Sequence, residues 1–243
     1  MKQRPSTCAA CGFSGARGWD ACPRCNVWGS ALPADAGALR PRGRTRLGDV
    51  PDVPIVRLAC AEPWRTVLGG GLAAGSTTLV YGSRGCGKTT ELVRLAGSLG
   101  AGVLFSCLEM GQDPKTLHAV ARRTATDARE LWVSDSHTLG ELCAEVARAP
   151  APRAFVLDSL SSLARGSEEA ALSALRRALP RACAFVAVLH VTKAGAMAGA
   201  EDLAHACDTI VRLTPDSITT EGEKNRFGLL ATGARPARLL LPE

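Results

Sequence analysis

The octapeptide Gly82-Ser83-Arg84-Gly85-Cys86-Gly87-Lys88-Thr89 has the form G-x4-G-K-[ST]. Its glycines let the backbone curl so that several N–H groups face one anion, and a helix starting there adds its positive dipole end. Lys88 is expected to reach the β- and γ-phosphates of ATP, Thr89 to ligate Mg²⁺, and Thr90 to adjoin the nucleotide. Ser83, Arg84, Gly85 and Cys86 fill the four free positions of the loop. A second Mg²⁺ contact should be a carboxylate at the end of an apolar strand, and Ala154-Phe155-Val156-Leu157-Asp158 provides Asp158. The plainer reading of Asp158 is a helix N-cap. Hydrolysis also needs a group to deprotonate or orient water, and Glu109 follows the next apolar strand after the loop. His190 ends another strand. It reads either as a reporter of the γ-phosphate or as a buried structural histidine.

These residues converge only if the strands carrying them are parallel, because a parallel sheet puts all strand C-termini on one edge. The sequence from about residue 56 supports that. Apolar runs at Thr77–Tyr81, Gly102–Cys107, Leu131–Ser134, Ala154–Leu157, Cys183–His190 and Thr209–Leu213 read as strands. Lys88–Leu99, Pro114–Ala125, Leu139–Ala149 and Glu168–Leu179 read as helices between them. Strands apolar at nearly every position are buried on both faces, so the expected class is α/β with a mostly parallel sheet flanked by helices. Arg226–Ala231 and Ala237–Leu241 read as an added hairpin.

The ten cysteines fall into two groups. Cys8, Cys11, Cys22 and Cys25 form two C-x2-C pairs, the ligand set of a structural tetrahedral zinc site in a small ribbon. Such a module is too small to fold on apolar burial alone, so Zn²⁺ would supply its folding energy. The remaining cysteines read as small core residues, with Cys86 set apart by its loop. Met1 to Pro5 has no apolar stretch behind it, so no export signal is read there. Ten cysteines without one point to a reducing cytoplasm. No apolar run is long enough for a membrane span, and a membrane partner is not expected.

The chain therefore divides into a four-cysteine zinc ribbon at 1–28, a basic linker at 29–55 and a P-loop ATPase domain at 56–243. Of the net charge of +6, +5 lies in residues 1–50, where Arg40, Arg42, Arg44 and Arg46 alternate along the linker. That stretch reads as a solvated linker or as an arm for nucleic-acid phosphates.

Along the whole chain the order of motifs resembles the bacterial RadA (Sms) family, RecA-fold recombination ATPases related to hexameric replicative helicases. The resemblance rests on the Cys8–Cys25 pairs with Trp28, on Val67-Leu68-Gly69-Gly70-Gly71-Leu72 before the phosphate loop, and on Val103-Leu104-Phe105 with Glu109. It continues with His190-Val191-Thr192-Lys193-Ala194-Gly195 and ends with Lys224-Asn225-Arg226-Phe227-Gly228, the family's KNRFG pentapeptide. The resemblance implies a RecA-like core and DNA-dependent ATP hydrolysis in DNA repair and recombination. It implies a homo-oligomeric, hexameric ring moving on single-stranded DNA, with Lys224 and Arg226 reaching a neighbour's nucleotide in trans. Lys193 would face DNA in the central channel, and a recombinase or replicative helicase would be a partner. The competing reading is a nucleotide-switched adaptor that docks such a partner through its zinc ribbon and turns ATP over slowly. Four positions depart from the family pattern: Met110 and Ala204 where glutamate is usual, and Ser83-Arg84 where Asp-Pro is usual. About fifteen residues follow the pentapeptide, so a short form without the family's Lon-protease-like domain is expected.

Overall fold

A computed structural model describes residues 55–110, 113–148, 151–190 and 200–235, with three short stretches nearer the N-terminus, 6–8, 14–15 and 31–33. The chain forms two compact units, Met1–Pro54 and Ile55–Glu243.

In the first unit, β1 (Ser6–Cys8), β2 (Ser14–Gly15) and β3 (Ala31–Pro33) form an antiparallel sheet in the order β2-β1-β3. Ala31–Pro33 falls in the stretch read as a linker, yet it pairs along the whole of β1. Cys8 ends β1. Cys11, Cys22, Cys25 and the alternating arginines lie outside the described residues.

The second unit opens with β4 (Arg57–Leu58), α1 (Trp64–Val67) and β5 (Leu72–Ala73), β4 and β5 forming a small antiparallel pair. Then come β6 (Thr77–Gly82), α2 (Lys88–Leu99), β7 (Val103–Cys107), α3 (Pro114–Arg123) and β8 (Leu131–Val133). They are followed by α4 (Leu139–Val146), β9 (Ala154–Asp158), α5 (Leu160–Leu163), α6 (Glu168–Ala178) and β10 (Ala184–His190). The described part ends with α7 (Ala200–Ala206), β11 (Thr209–Leu213), β12 (Ser217–Thr219) and β13 (Thr232–Ala234).

Eight strands form one sheet in the order β13-β12-β11-β6-β10-β9-β7-β8. The pairs from β11 through β8 are parallel, and the β11–β12 and β12–β13 pairs are antiparallel. All residues of β6, β7 and β9 are buried, as expected for strands covered on both faces. One core lies where Leu92, Val93, Leu95 and Leu99 of α2 meet Val103, Phe105 and Val156. The other joins Leu142, Leu172 and Leu175 to Phe155 and Phe185, whose rings stack at 5.4 Å.

Local sequence sets the helix starts. Asp113 accepts a hydrogen bond from the Lys115 N–H ahead of Pro114, and Thr138 with Glu141 closes a capping box on α4. Glu168 and Glu169 in the first turn of α6, with Arg176 and Arg177 in its last, follow the helix dipole.

The expected tail hairpin is displaced. Arg226–Ala231 is not a strand, and the hairpin forms instead between β12 and β13. The cause is Asn225, whose side chain accepts from the Phe227 N–H and donates to the Leu229 carbonyl, folding that stretch into a turn. Residues 237–241 lie outside the described part. Among the described residues no helix is long and apolar enough to cross a membrane.

Candidate nucleotide site

The register of the sheet brings the predicted residues to one edge. Gly82 at the end of β6 stands beside His190 at the end of β10, and Asp158 at the end of β9 stands beside Cys107 at the end of β7. Glu109 follows in a 3-10 turn, Leu108–Met110.

The loop from Gly82 leads straight into α2, with Gly87 as its N-cap at φ +88°. That left-handed conformation suits glycine and turns the chain from loop to helix. A side chain at Gly82 would run into the Leu213 carbonyl of the neighbouring strand. Ser83, Arg84 and Gly85 are exposed, while Thr89 and Thr90 are half-buried. Cys86, read as the loop's exceptional cysteine, is buried in the core at 2% exposure. Lys88 is buried, and its Nζ donates to the Gly82 and Ser83 carbonyls at 3.0 and 3.1 Å. Carbonyls of the loop hold the ammonium in place where phosphate oxygens would otherwise take it.

Beside it, the Thr89 hydroxyl donates to Asp158 Oδ2 at 2.5 Å. Asp158 Oδ1 is buried without a hydrogen-bond partner among the described residues. Burial pushes the Asp158 carboxyl up to about 6, against the Thr89 hydrogen bond, while Glu109 raises it and Lys88 and His190 lower it. A hydroxyl beside a carboxylate with one oxygen unsatisfied is a hard-oxygen donor set that fits Mg²⁺ completed by phosphate and water.

Ser159 and His190 gather around Glu109. The Ser159 hydroxyl donates to Glu109 Oε1 at 3.1 Å, and His190 Nε2 hydrogen-bonds the same oxygen. His190 Nε2 also lies 3.1 Å from Ser159 Oγ. The His190 N–H donates to Ser161 Oγ at 3.1 Å, tying β10 to the start of α5. Of the two readings given to Asp158, the N-cap of α5 falls to Ser159 instead, whose hydroxyl accepts from the Ser162 N–H.

The other predicted site residues lie elsewhere. Lys224 Nζ donates to the Ala204 and Cys207 carbonyls at 2.7 and 2.6 Å, capping the end of α7. Arg226 pairs with Asp208 at 3.2 Å and is about half exposed. Asp208 in turn accepts from the Thr77 N–H at the start of β6. Both cations are therefore at the opposite sheet edge from Lys88, separated by the ~17 Å length of β6. The pentapeptide also packs on the glycine run before β6. Arg57 donates to the Leu68, Gly71 and Phe227 carbonyls, and Asn225 donates to the Val67 carbonyl. Lys193 lies outside the described residues.

Sequence reasoning missed Ser159, Glu91 and Arg235. Glu91 is fully buried and pairs with Arg94 at 2.8 Å and Arg235 at 3.1 Å. A signal did exist for Glu91. It follows Lys88 by three residues and precedes Leu95 by four, so it shares the buried helix face with Lys88, Leu92 and Leu95.

The parallel sheet, the loop-to-helix turn and the edge cluster define a phosphate-loop nucleotide-binding domain. The chain belongs to the AAA domain family, whose family model matches residues 44–196. Within that class it is RadA-like. It is 30% identical over 250 residues to DNA repair protein RadA of Listeria monocytogenes, covering 91% of this chain and 54% of the relative. Its identity to DNA repair protein RadA of Pseudomonas aeruginosa is 28% over 250 residues, with the same coverage. To that of Escherichia coli it is 26% over 270 residues, covering 93% of this chain and 56% of the relative. The chain spans about half the length of these relatives.

Proposed function

We propose that this chain is a RadA-type DNA repair ATPase, a RecA-like motor that couples ATP hydrolysis to movement on single-stranded DNA. The observation that carries the reading is the meeting of Lys88, Thr89, Asp158 and Glu109 on one sheet edge, in a chain whose similarity to RadA proteins extends over nine-tenths of its length.

ATP lays its phosphates in the 82–89 loop, and Lys88 exchanges the Gly82 and Ser83 carbonyls for phosphate oxygens. Thr89 and Asp158 would hold Mg²⁺, which supplies charge neutralisation of the phosphates when bound. Glu109 takes the proton of a water whose oxygen bonds to the γ-phosphorus. The bond to the β–γ bridging oxygen breaks, leaving ADP and phosphate. His190 and Ser159 hold Glu109 until then, and His190 carries the state of the γ-phosphate into the residues that follow β10. Lys224 and Arg226 act on a neighbour's nucleotide in a ring, which requires them to leave the partners they have within one chain. Lys193 contacts the DNA backbone, and Cys8, Cys11, Cys22 and Cys25 would hold one Zn²⁺, which would supply folding energy to a ribbon too small to fold on apolar burial alone.

ATPase rate and particle mass, measured together with and without single-stranded DNA, test this. The rate should rise with DNA and collapse in Lys88→Ala and Glu109→Gln. A rate indifferent to DNA, in a protein that binds none, would refute the motor.

The engagement of Glu109 Oε1 by both His190 and Ser159 favours one other reading, a slowly turning nucleotide-switched adaptor. That reading expects a complex with a helicase or recombinase that disappears on replacing Cys22 or Cys25. Survival of the complex in those variants counts against it.

A further inference from the structure

Arg235 follows β13, far along the chain from the phosphate loop, yet its guanidinium lies against that loop. Nη1 donates to the Cys86 carbonyl at 2.6 Å, to the Thr214 carbonyl and, at 3.2 Å, to the Pro215 carbonyl. Nε donates to Glu91 Oε1 at 3.1 Å. A side chain at Gly87 would come within 2.8 Å of Arg235 Nη2. The Arg235 side chain is only 5% exposed, and that of Glu91 is fully buried. The Arg235 N–H donates to the Asp216 carbonyl at 2.9 Å, which fixes the backbone from which the side chain reaches inward.

Three segments therefore meet at one cation: the phosphate loop through Cys86, the first turn of α2 through Glu91, and the β11–β12 connection through Thr214 and Pro215. From this we infer that Arg235 is a positioning residue for nucleotide binding, setting the orientation of the Cys86–Gly87 peptide. A planar trans peptide holds its N–H opposite its C=O. Fixing the Cys86 carbonyl on Arg235 thus fixes the opposite direction for the Gly87 N–H, one of the donors that a G-x4-G-K-[ST] loop offers to phosphate. Without that hold, the peptide has to be oriented when the nucleotide arrives, and affinity falls.

Glu91 supplies the reason the cation can be there. A guanidinium this deeply buried needs a carboxylate partner, and α2 presents one from the turn that follows the loop. Arg94, at 22% exposure, shares that carboxylate from the solvent side. Arginine suits the position better than lysine, because its planar fork serves carbonyls and carboxylate in fixed directions at once.

The inference rests on the nucleotide reading of the loop, and the test separates the two. Binding of a fluorescent ATP analogue with Mg²⁺, steady-state ATPase kinetics and thermal melting are measured on the full chain. Arg235→Met alone would strand Glu91, so the informative variant is Glu91→Gln/Arg235→Met, which removes both charges together. The expected result is a folded variant that melts somewhat below the parent, because the Cys86, Thr214 and Pro215 carbonyls lose their donor, with analogue affinity about tenfold weaker from the lost hold on one charge-assisted hydrogen bond. KM for ATP should rise with it, while kcat at saturation changes by less than about threefold, since the Glu109 cluster is untouched.

An ion pair that merely stabilises the fold would shift melting and leave affinity alone, so unchanged affinity in the folded double variant overturns the inference. A fall in kcat without a rise in KM does the same. If the double variant does not fold, Arg235→Lys decides. It keeps the charge beside Glu91 but offers a point donor in place of the fork. A folded Arg235→Lys with weakened affinity supports the role, and one with the parent's affinity rejects it. A parent chain that binds no analogue, like its Lys88→Ala control, removes the nucleotide reading and this inference with it.

Discussion

The two ends of the central strands differ in how their charges are satisfied. At the C-terminal edge, Lys88 rests on loop carbonyls and Asp158 keeps one buried oxygen without a partner among the described residues. At the N-terminal edge, Lys224 is held by two carbonyls and Arg226 by Asp208, which also binds the start of β6. The first edge has capacity left for a ligand. The second is largely engaged by the fold, with Lys224 on two carbonyls, although the half-exposed Arg226 keeps a solvent-facing side beyond its pair with Asp208. Charged side chains look alike in a sequence. What separates a site from a staple is the unsatisfied valence that remains after folding.

That contrast can be broken most severely at Lys88. Lys88→Ala should reduce ATPase turnover by at least about 10³-fold, chiefly through lost phosphate contact, with nucleotide binding by calorimetry as the direct check. Glu109→Gln should lower turnover by roughly 10²–10³-fold while ATP affinity holds, seen as accumulated bound ATP in single-turnover assays.

Asp158→Asn sharpens the comparison from the stability side. The buried carboxyl has its folded pKa raised to about 6, above the ordinary value of 3.8. The folded state therefore binds this proton more tightly, and its stabilisation is lost as pH rises from about 4 through 6. At pH 8 the native chain carries a buried, half-satisfied carboxylate. Asp158→Asn should then abolish Mg²⁺-dependent hydrolysis but stabilise the nucleotide-free protein by on the order of 2 kcal/mol, read by denaturant melts with chelator present.

At the opposite edge the order reverses. Lys224→Met should destabilise the chain by about 1–3 kcal/mol through two abandoned carbonyls, a loss visible in the same melts. Arg226→Ala, at a half-exposed pair, should change stability by less than about 1 kcal/mol. Mixing Arg226→Ala chains with Lys88→Ala chains measures the trans role directly. Partial recovery of ATPase places Arg226 on a neighbour's nucleotide, and no recovery removes it from catalysis there.

Much of this was legible in the residues. The six strands and four helices expected from apolar runs all form, with ends shifted by a few residues: the inner strands are buried on both faces and leave an unbroken hydrophobic signature, while the edge strand β8, with Trp132 exposed, and the helices show theirs on one side. One end shifts for a clear reason: Gly102 has φ +80° and cannot begin β7, which starts at Val103. The G-x4-G-K-[ST] loop and the strand-end carboxylates were legible because their chemistry dictates type and spacing together. Elements of two to seven residues, such as β4, α1, β5, α5 and α7, were not, since so few positions establish no period. Nor was the Arg235–Glu91 pair, whose members stand 144 residues apart. Asn225 misled for a related reason. Its side chain makes a turn of a stretch whose composition reads as strand.

Strand β6 lies in the middle of the sheet between β10 and β11, with all six residues buried and its two ends tied to Asp208 and Lys88. Its amides have no local route to solvent, so their deuterium uptake should follow only the opening of the whole domain. Events at the nucleotide edge are then registered on a faster clock by the loops around it, while the strand beneath them exchanges at one slow rate, with or without ligand-induced movement nearby.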